Sequence, residues 1–158
     1  MDLTLETTAA VSIESVYREH GARLWRSVLL YAGDREIAND AVSEAFAQAL
    51  GRGPAIRDPA RWVWRSAFRI AAGQLQDRSR LRGDMPEPSY EIPDALTALS
   101  EGLAQLPARQ RAAVVLHYYA DLPIRQVAHA LATTSPAVKM TLMRARRRLR
   151  TYLEADDA

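Results

Sequence analysis

Segment 123–150 constrains the fold more than any other stretch, because its pattern predicts two helices joined by a tight turn. The first helix has an apolar stripe at three- and four-residue spacing, formed by Ile124, Val127, Ala128 and Leu131. Ser135 is predicted to cap the second helix, and Pro136 to occupy its first position, where a missing N–H costs little. Between them, Ala132 stands where such hairpins usually have Gly, so a residue with a side chain is expected in a left-handed conformation.

The second helix of this segment has two chemically different faces. The inward face is predicted to contain Val138, Leu142, Ala145, Leu149 and Tyr152. The opposite side contains Pro136, Lys139, Met140, Met143, Arg144, Arg146, Arg147 and Arg150. A helix with one buried stripe and a cationic far side suits the major groove of DNA. The alternative, an ordinary helical hairpin with a solvated basic face, stays open at this point.

Charge is distributed in alternating blocks although the net charge is only +2. Residues 1–50 contain four basic and eight acidic side chains, whereas residues 51–82 contain eight basic and two acidic ones. Residues 83–107 contain five acidic side chains and no basic one, and residues 108–150 contain nine basic side chains and one acidic. Two separate basic blocks indicate two contacts with a polyanion, and the acidic blocks indicate a different partner.

The first basic block coincides with a predicted helix that begins at Asp58-Pro59 and reaches about Arg80. Four arginines recur there every four residues and therefore share one face: Arg57, Arg61, Arg65 and Arg69. The stripe has two interpretations, a solubilising surface or a contact with nucleic acid, and mutual repulsion of like charges favours the second. Trp62 is expected in the core, and Trp64, which should point elsewhere, is a candidate for stacking on an unpaired base.

The remaining pattern predicts an all-α protein of two small helical domains joined by a flexible linker. Residues 1–11 are predicted to be a mobile tail, and residues 12–80 a first domain whose helices begin at Ser12, Asp34 and Asp58. Three prolines and a glycine make residues 81–93 the predicted linker. Residues 94–153 then form a second domain that contains the helix-turn-helix.

Catalysis and cofactor binding are not expected, since the sequence has no phosphate loop, nucleophile elbow or zinc-protease motif. The chain has no cysteine, and His20, His117 and His129 are far apart in sequence. Asp40 and Glu44 lie one helical turn apart, and without further ligands they suggest partner binding rather than a metal site. No secretion signal or membrane-spanning run is evident, so a soluble cytoplasmic protein is expected.

Two stretches resemble bacterial RNA polymerase sigma factors of the extracytoplasmic-function (ECF) class. Residues 40–46, DAVSEAF, resemble the acidic and apolar helix that such factors dock on the polymerase clamp. Residues 106–111, LPARQR, together with Val138-Lys139 and residues 144–149, RARRRL, resemble their promoter-reading hairpin. The resemblance identifies residues 12–80 with sigma region two and residues 94–153 with sigma region four.

The resemblance implies a division of roles among these residues. Polymerase binding would fall to Asp40, Val42, Glu44 and Phe46. The melted downstream promoter element would be held by Arg57, Arg61, Trp64, Arg65 and Arg69. The upstream element would be read as duplex by Ser135, Pro136, Ala137, Lys139, Met140, Arg144 and Arg147. Core polymerase, promoter DNA and an anti-sigma protein are the implied partners.

Two alternatives remain at this level. The hairpin is shared by regulators that bind operators without joining polymerase, and binding to core polymerase distinguishes the two. A protein-binding adaptor whose hairpin has lost DNA is the other alternative, and it predicts DNA binding that is absent or insensitive to salt.

Overall fold

The computed structural model describes residues 3–82 and 94–156 of the chain, with side chains at 13–81 and 97–155. Within these ranges all regular structure is helical. The α-helices are α1 (Leu3–Ala32), α2 (Arg35–Arg52), α3 (Pro59–Arg82), α4 (Asp94–Ala104), α5 (Ala108–Val114), α6 (Ile124–Ala130) and α7 (Ser135–Asp156). A 3₁₀ turn at Gly53–Ala55 precedes α3, and a π-helical turn at Val115–Tyr119 continues α5. The predicted all-α class is confirmed.

The first domain packs α1, α2 and α3 against one another. Helices α1 and α3 can approach α2 closely because four inward residues of α2 are alanines with no exposed surface: Ala38, Ala41, Ala45 and Ala49. Small side chains at a helix crossing let the larger residues of the neighbours, such as Leu24 and Val63, fill the space between the axes.

The predicted cap of α2 is confirmed, and Asp34 does more than cap. Its Oδ1 accepts hydrogen bonds from the backbone N–H groups of Glu36 and Ile37 at 2.9 and 3.1 Å. Its Oδ2 accepts from Arg78 of α3, and a second Arg78 nitrogen lies 3.1 Å from Glu36 Oε2. One nearly buried carboxylate therefore joins the start of α2 to the far end of α3.

Two predicted helix starts are wrong. The first helix begins at Leu3 rather than Ser12, so Ser12 lies inside α1. At α7 the capping group is Thr134 and not Ser135, because the Thr134 Oγ1 accepts from the Ala137 N–H at 3.3 Å. Ser135 is then the first helical residue and Pro136 the second, a position that also lacks an intrahelical acceptor.

The second domain is built from α4 to α7 and contacts α1 and α3 of the first domain. α3 packs against α6, and the π-helical turn packs against α1. Arg26 Nε of α1 donates to the Tyr119 hydroxyl at 3.2 Å, and Arg111 of α5 reaches the Tyr31 carbonyl at 2.6 Å. Residues 83–93, most of the predicted linker, lie outside the described residues, and the domain boundaries stay predictions.

Candidate nucleic-acid interface

The hairpin of α6 and α7 has the predicted turn. Ala132 is left-handed with φ 53°, as its sequence position required. The Thr133 N–H donates to the Ala128 carbonyl at 2.9 Å and the Leu131 N–H to the Val127 carbonyl at 3.0 Å, so the end of α6 is satisfied by backbone bonds. These bonds hold the start of α7 in a defined position relative to α6.

The two faces of α7 are arranged as predicted. Val138, Leu142 and Ala145 are buried in the core shared with α5 and α6. Among the predicted upstream-reading residues, the exposed ones are Pro136, Lys139, Met140, Arg144 and Arg147, and the half-buried ones are Ser135 and Ala137. All seven lie along one continuous outer surface of the helix, which we call the α7 face.

The cations of the α7 face are not neutralised within the described part of the chain. Lys139, Arg144 and Arg147 form no ion pair there. Two other arginines of the run are engaged by the protein, since Arg146 donates to the Tyr118 hydroxyl at 2.7 Å and Arg148 to the Gln105 carbonyl at 2.9 Å. Arg146 and Arg148 therefore stabilise the second domain, whereas the cations of the α7 face remain exposed to solvent.

The arginine stripe of α3 has a different setting. Arg57 is exposed beside the 3₁₀ turn, and Arg61 Nε lies 3.5 Å from an Asp58 carboxylate oxygen in an exposed pair. Arg65 and Arg69 are exposed, but they line a cleft whose other wall is formed by α5 and the end of α6. The four residues share a helix face as predicted, and that face points partly toward the second domain.

The two tryptophans beside this stripe are placed opposite to expectation. Trp64 is only 3 % exposed and stacks on Phe68 with 6.4 Å between ring centroids. Trp62 is half-buried, with the Arg52 guanidinium 5.5 Å from its ring centroid. The prediction that Trp64 points away from the core is therefore wrong, and its stacking on a base remains a prediction for another state of the protein.

His20 of α1 contacts Trp64 near the N-terminal end of α3. The indole Nε1 is 3.4 Å from His20 Nδ1, and Arg23 is 3.5 Å away from the same nitrogen. Burial, and after it the charge of Arg23, lowers the pKa of His20 below its ordinary value of 6.5. A neutral imidazole is thus part of the packing that supports the arginine stripe.

The predicted polymerase-binding helix α2 has exposed carboxylates, and most of its apolar residues are buried. Asp40 and Glu44 are exposed, whereas Val42 and Phe46 are each 7 % exposed. The exposed apolar surface beside them is formed by Tyr17, whose ring centroid lies 5.1 Å from that of Phe46, and by Leu50. Both residues belong to the apolar periodicity of their helices, so the sequence pattern alone does not mark them as exposed.

Within the described residues, no three metal-ligating side chains come together. None of the described helices is long and apolar enough to cross a bilayer.

Three comparisons relate this geometry to known proteins. The family described as "Sigma-70, region 4" matches residues 96–149. The Mycobacterium tuberculosis protein named ECF RNA polymerase sigma factor SigL is 31% identical over 160 positions, covering 92% of this chain and 90% of that one. The Bacillus subtilis RNA polymerase sigma factor SigV is 24% identical, covering 96% of both chains.

Two solved structures share the fold. The structure of CnrH in complex with the cytosolic domain of CnrY superposes with a TM-score of 0.73 at 21% identity, covering 98% of both chains. The sigma factor RpoE of Bartonella quintana, in complex with the anti-sigma factor NepR, superposes with a TM-score of 0.72 at 19% identity, covering 90% of this chain and 99% of that one.

Proposed function

The chain belongs to the ECF RNA polymerase sigma factors, and from this membership we propose how its two domains divide the work of transcription initiation. A sigma factor of this class binds core RNA polymerase and directs it to specific promoters. Membership favours this function over an operator-binding regulator or a protein-binding adaptor. The domains proposed for the two tasks are residues 12–80 and 94–153.

The α7 face reads the upstream promoter element as duplex. Its exposed cations, Lys139, Arg144 and Arg147, have no carboxylate partner in the described residues, so binding phosphates breaks no internal ion pair. The half-buried N-terminal residues Ser135 and Ala137 enter the groove first, as in other helix-turn-helix proteins. This unpaired cationic face is the observation that carries the proposal.

The arginine stripe of α3 holds the downstream element after melting. Single strands need cations along the backbone and planar groups for the bases. Arg57 and Arg61 are reachable at one end of the stripe, whereas Arg65 and Arg69 border the cleft between the domains. Because Trp64 is buried, stacking on its ring requires that α3 and α1 rearrange, and the arginines make the first contact.

The exposed carboxylates of α2 bind core polymerase. Asp40 and Glu44 are exposed on α2, and the same helix exposes Leu50 and has Tyr17 packed on Phe46 with most of its surface exposed. Charged groups beside an exposed apolar patch form the rim and centre of a protein interface. Val42 and Phe46 are nearly buried, so they support this surface from the core of the domain and do not contact the partner directly.

The remaining roles follow from the family. The protein has no catalysis of its own and works in the cytoplasm, where polymerase and promoter are found. An anti-sigma protein is a proposed partner. Of the two structural neighbours, RpoE is bound to the anti-sigma factor NepR, and CnrH is bound to the cytosolic domain of CnrY.

A charge reversal on α2 tests the proposal. Glu44→Arg should abolish association with core polymerase, because it replaces an anion of the proposed interface with a cation. The same change should leave binding to promoter duplex unchanged. Association is measured by native electrophoresis with purified core enzyme, followed by transcription from a cognate promoter. Glu101→Arg, the same reversal at an exposed site on α4, is the matched control and should retain association.

Two results would remove the proposal. One is normal promoter-specific transcription by Glu44→Arg, and the other is sequence-specific duplex binding that shows no dependence on salt. If about six phosphates are neutralised, the logarithm of affinity should fall with the logarithm of salt concentration at a slope near −5.

A further inference from the structure

A cleft between the two domains is lined by four of the described arginines. Its volume is about 700 Å³, within the range of sites for small molecules. One wall belongs to α3 and contains Arg65 and Arg69, and the other belongs to α5 and contains Arg109 and Arg111. The described lining has no Asp or Glu, so these four arginines have no counter-ion within it.

None of these four arginines forms an ion pair within the described residues. Elsewhere in the described residues three arginines form ion pairs, Arg18, Arg61 and Arg78, and Arg78 does so with the nearly buried Asp34. Like charges brought together across a cleft repel, and this repulsion opposes the packing of α3 against the second domain. An anion between the walls would reverse the sign of that interaction.

Arg111 supplies a second, independent observation. Its side chain is only 3 % exposed, and its Nε and Nη1 donate to the carbonyls of Tyr31 and Leu106 at 2.6 and 2.9 Å. Its Nη2 is buried and has no hydrogen-bond partner in the part of the chain that the structure describes. The two carbonyls lie at or beyond the C-terminal ends of α1 and α4, so helix dipoles offset part of the charge. The guanidinium also lies 5.5 Å from the Tyr31 ring centroid, and one buried donor stays unsatisfied beside the cleft.

The remaining lining indicates the shape of the ligand. Phe68, Leu75 and Leu131 provide an apolar wall, and Gln76 and Ser79 provide polar groups near the mouth. Guanidinium groups bind phosphate through two parallel hydrogen bonds more effectively than any other side chain does. We propose that this cleft binds a small polyphosphate, inorganic or carried by a nucleoside, that bridges Arg65 and Arg69 of α3 to Arg109 and Arg111 of α5.

Bridging has a structural consequence. A ligand held by both walls stabilises the closed arrangement of the domains, since opening the cleft would separate its two sets of contacts. It would also occupy Arg65 and Arg69, which the proposed function assigns to the melted strand, and this consequence alone rests on the proposed function. The binding test below contains neither polymerase nor DNA, so its failure and the failure of the proposed function are distinguishable.

Isothermal titration of the full chain with inorganic tripolyphosphate, and in parallel with GTP, tests the site. Arg69→Ala and Arg109→Ala, which change opposite walls, should each weaken binding about tenfold, the effect of losing a charge-assisted hydrogen bond. Arg80→Ala, an exposed arginine on α3 that does not line the cleft, is the matched control and should change binding less than about twofold. Tighter binding of GTP than of tripolyphosphate would identify a nucleoside ligand, and equal binding an inorganic one, and both results support the site.

Closure provides a separate readout, made simple because the chain has no cysteine. Fluorophores on Ala47→Cys of α2 and Leu153→Cys of α7, both exposed positions, should show higher energy transfer when tripolyphosphate is added. Equal weakening by Arg69→Ala and Arg80→Ala, no binding of either ligand at physiological salt, or binding without any change in transfer would each overturn the proposal.

Discussion

The arginine surfaces of α3 and α7 are similar in composition and differ in what faces them. The α7 face looks outward from the second domain, and its cations meet only solvent in the described residues. The α3 stripe has two of its four arginines on a cleft closed by α5 and α6. Under the proposed function, the α7 face is open to duplex in this arrangement, whereas a strand at Arg65 and Arg69 would share the cleft with α5 and α6.

The largest effect should come from fixing the domains in place. Arg26→Cys with Tyr119→Cys replaces a pair that lies 3.2 Å apart across the domain seam, and a short bismaleimide can then join them. Binding of a fluorescent single-stranded promoter oligonucleotide should weaken by more than about tenfold, because the cleft at Arg65 and Arg69 cannot widen to admit the strand. Duplex affinity should change less than about twofold, and the same variant without the cross-linker is the control. Undiminished strand binding after cross-linking would show that the two surfaces are equally accessible.

The next effect separates the surfaces by mutation. Arg147→Ala should weaken upstream duplex binding about tenfold and leave strand binding unchanged, because one charged contact in the groove is lost. Arg65→Ala should do the reverse. Fluorescence anisotropy on both ligands for both variants completes the comparison, and a parallel loss on both ligands in either variant would contradict two independent sites.

A smaller effect concerns the turn that sets the α7 face. Ala132 is held at φ 53°, where a side chain is unfavourable and glycine is not. Ala132→Gly should raise the free energy of unfolding by about 1 kcal/mol, measured by urea denaturation, as expected when left-handed strain is relieved. Duplex affinity should stay the same, since the turn already holds α7 in its working position. Weaker duplex binding would show instead that the strain itself positions the helix.

The smallest effect is a dependence on pH limited to the first domain. The folded pKa of His20 is lowered, so the unfolded chain binds its proton more readily than the folded chain does. Stability should therefore be full above pH 6.5 and should decrease as pH falls through that value, because protonation opposes burial beside Trp64 and Arg23. Hydrogen exchange should show α1 and α3 loosening before α7 does. His20→Gln should flatten this dependence, and an equal response in α7 would contradict the distinction between the surfaces.

Local chemistry made most of the helices predictable. Asp34 was identified as a cap because its side chain satisfies amides two and three residues away, an interaction that needs no tertiary partner. The left-handed Ala132 followed from its position in the turn, where such hairpins usually have Gly. The error at Ser135 was also local, since Thr134, one position earlier, has a side-chain oxygen that can cap the helix as well.

The surfaces were less predictable, and the tryptophans show why. Trp62 and Trp64 have the same chemistry and differ only in which neighbour each one meets, so the sequence had no basis for choosing between them. The packing of α1 on α3 decided it, since His20 of α1 meets the ring of Trp64 at its edge while Phe68, one turn along α3, stacks on it. The exposure of Tyr17 and Leu50 was missed for the same reason, because an apolar residue is marked as buried only by the helix that covers it.

By itself the sequence determined the all-α class, the hairpin, the outward cations of α7 and the resemblance to a family, because periodicity, capping and motifs act over a few residues. Tertiary structure alone decided which cations are reachable and which line a cleft. Residues such as Arg69 and Arg111 are 42 positions apart in the chain, and their opposition across one cleft depends on how α3 packs against the second domain. Burial and electrostatic repulsion depend on distance in space, and no pattern along the chain contains that distance.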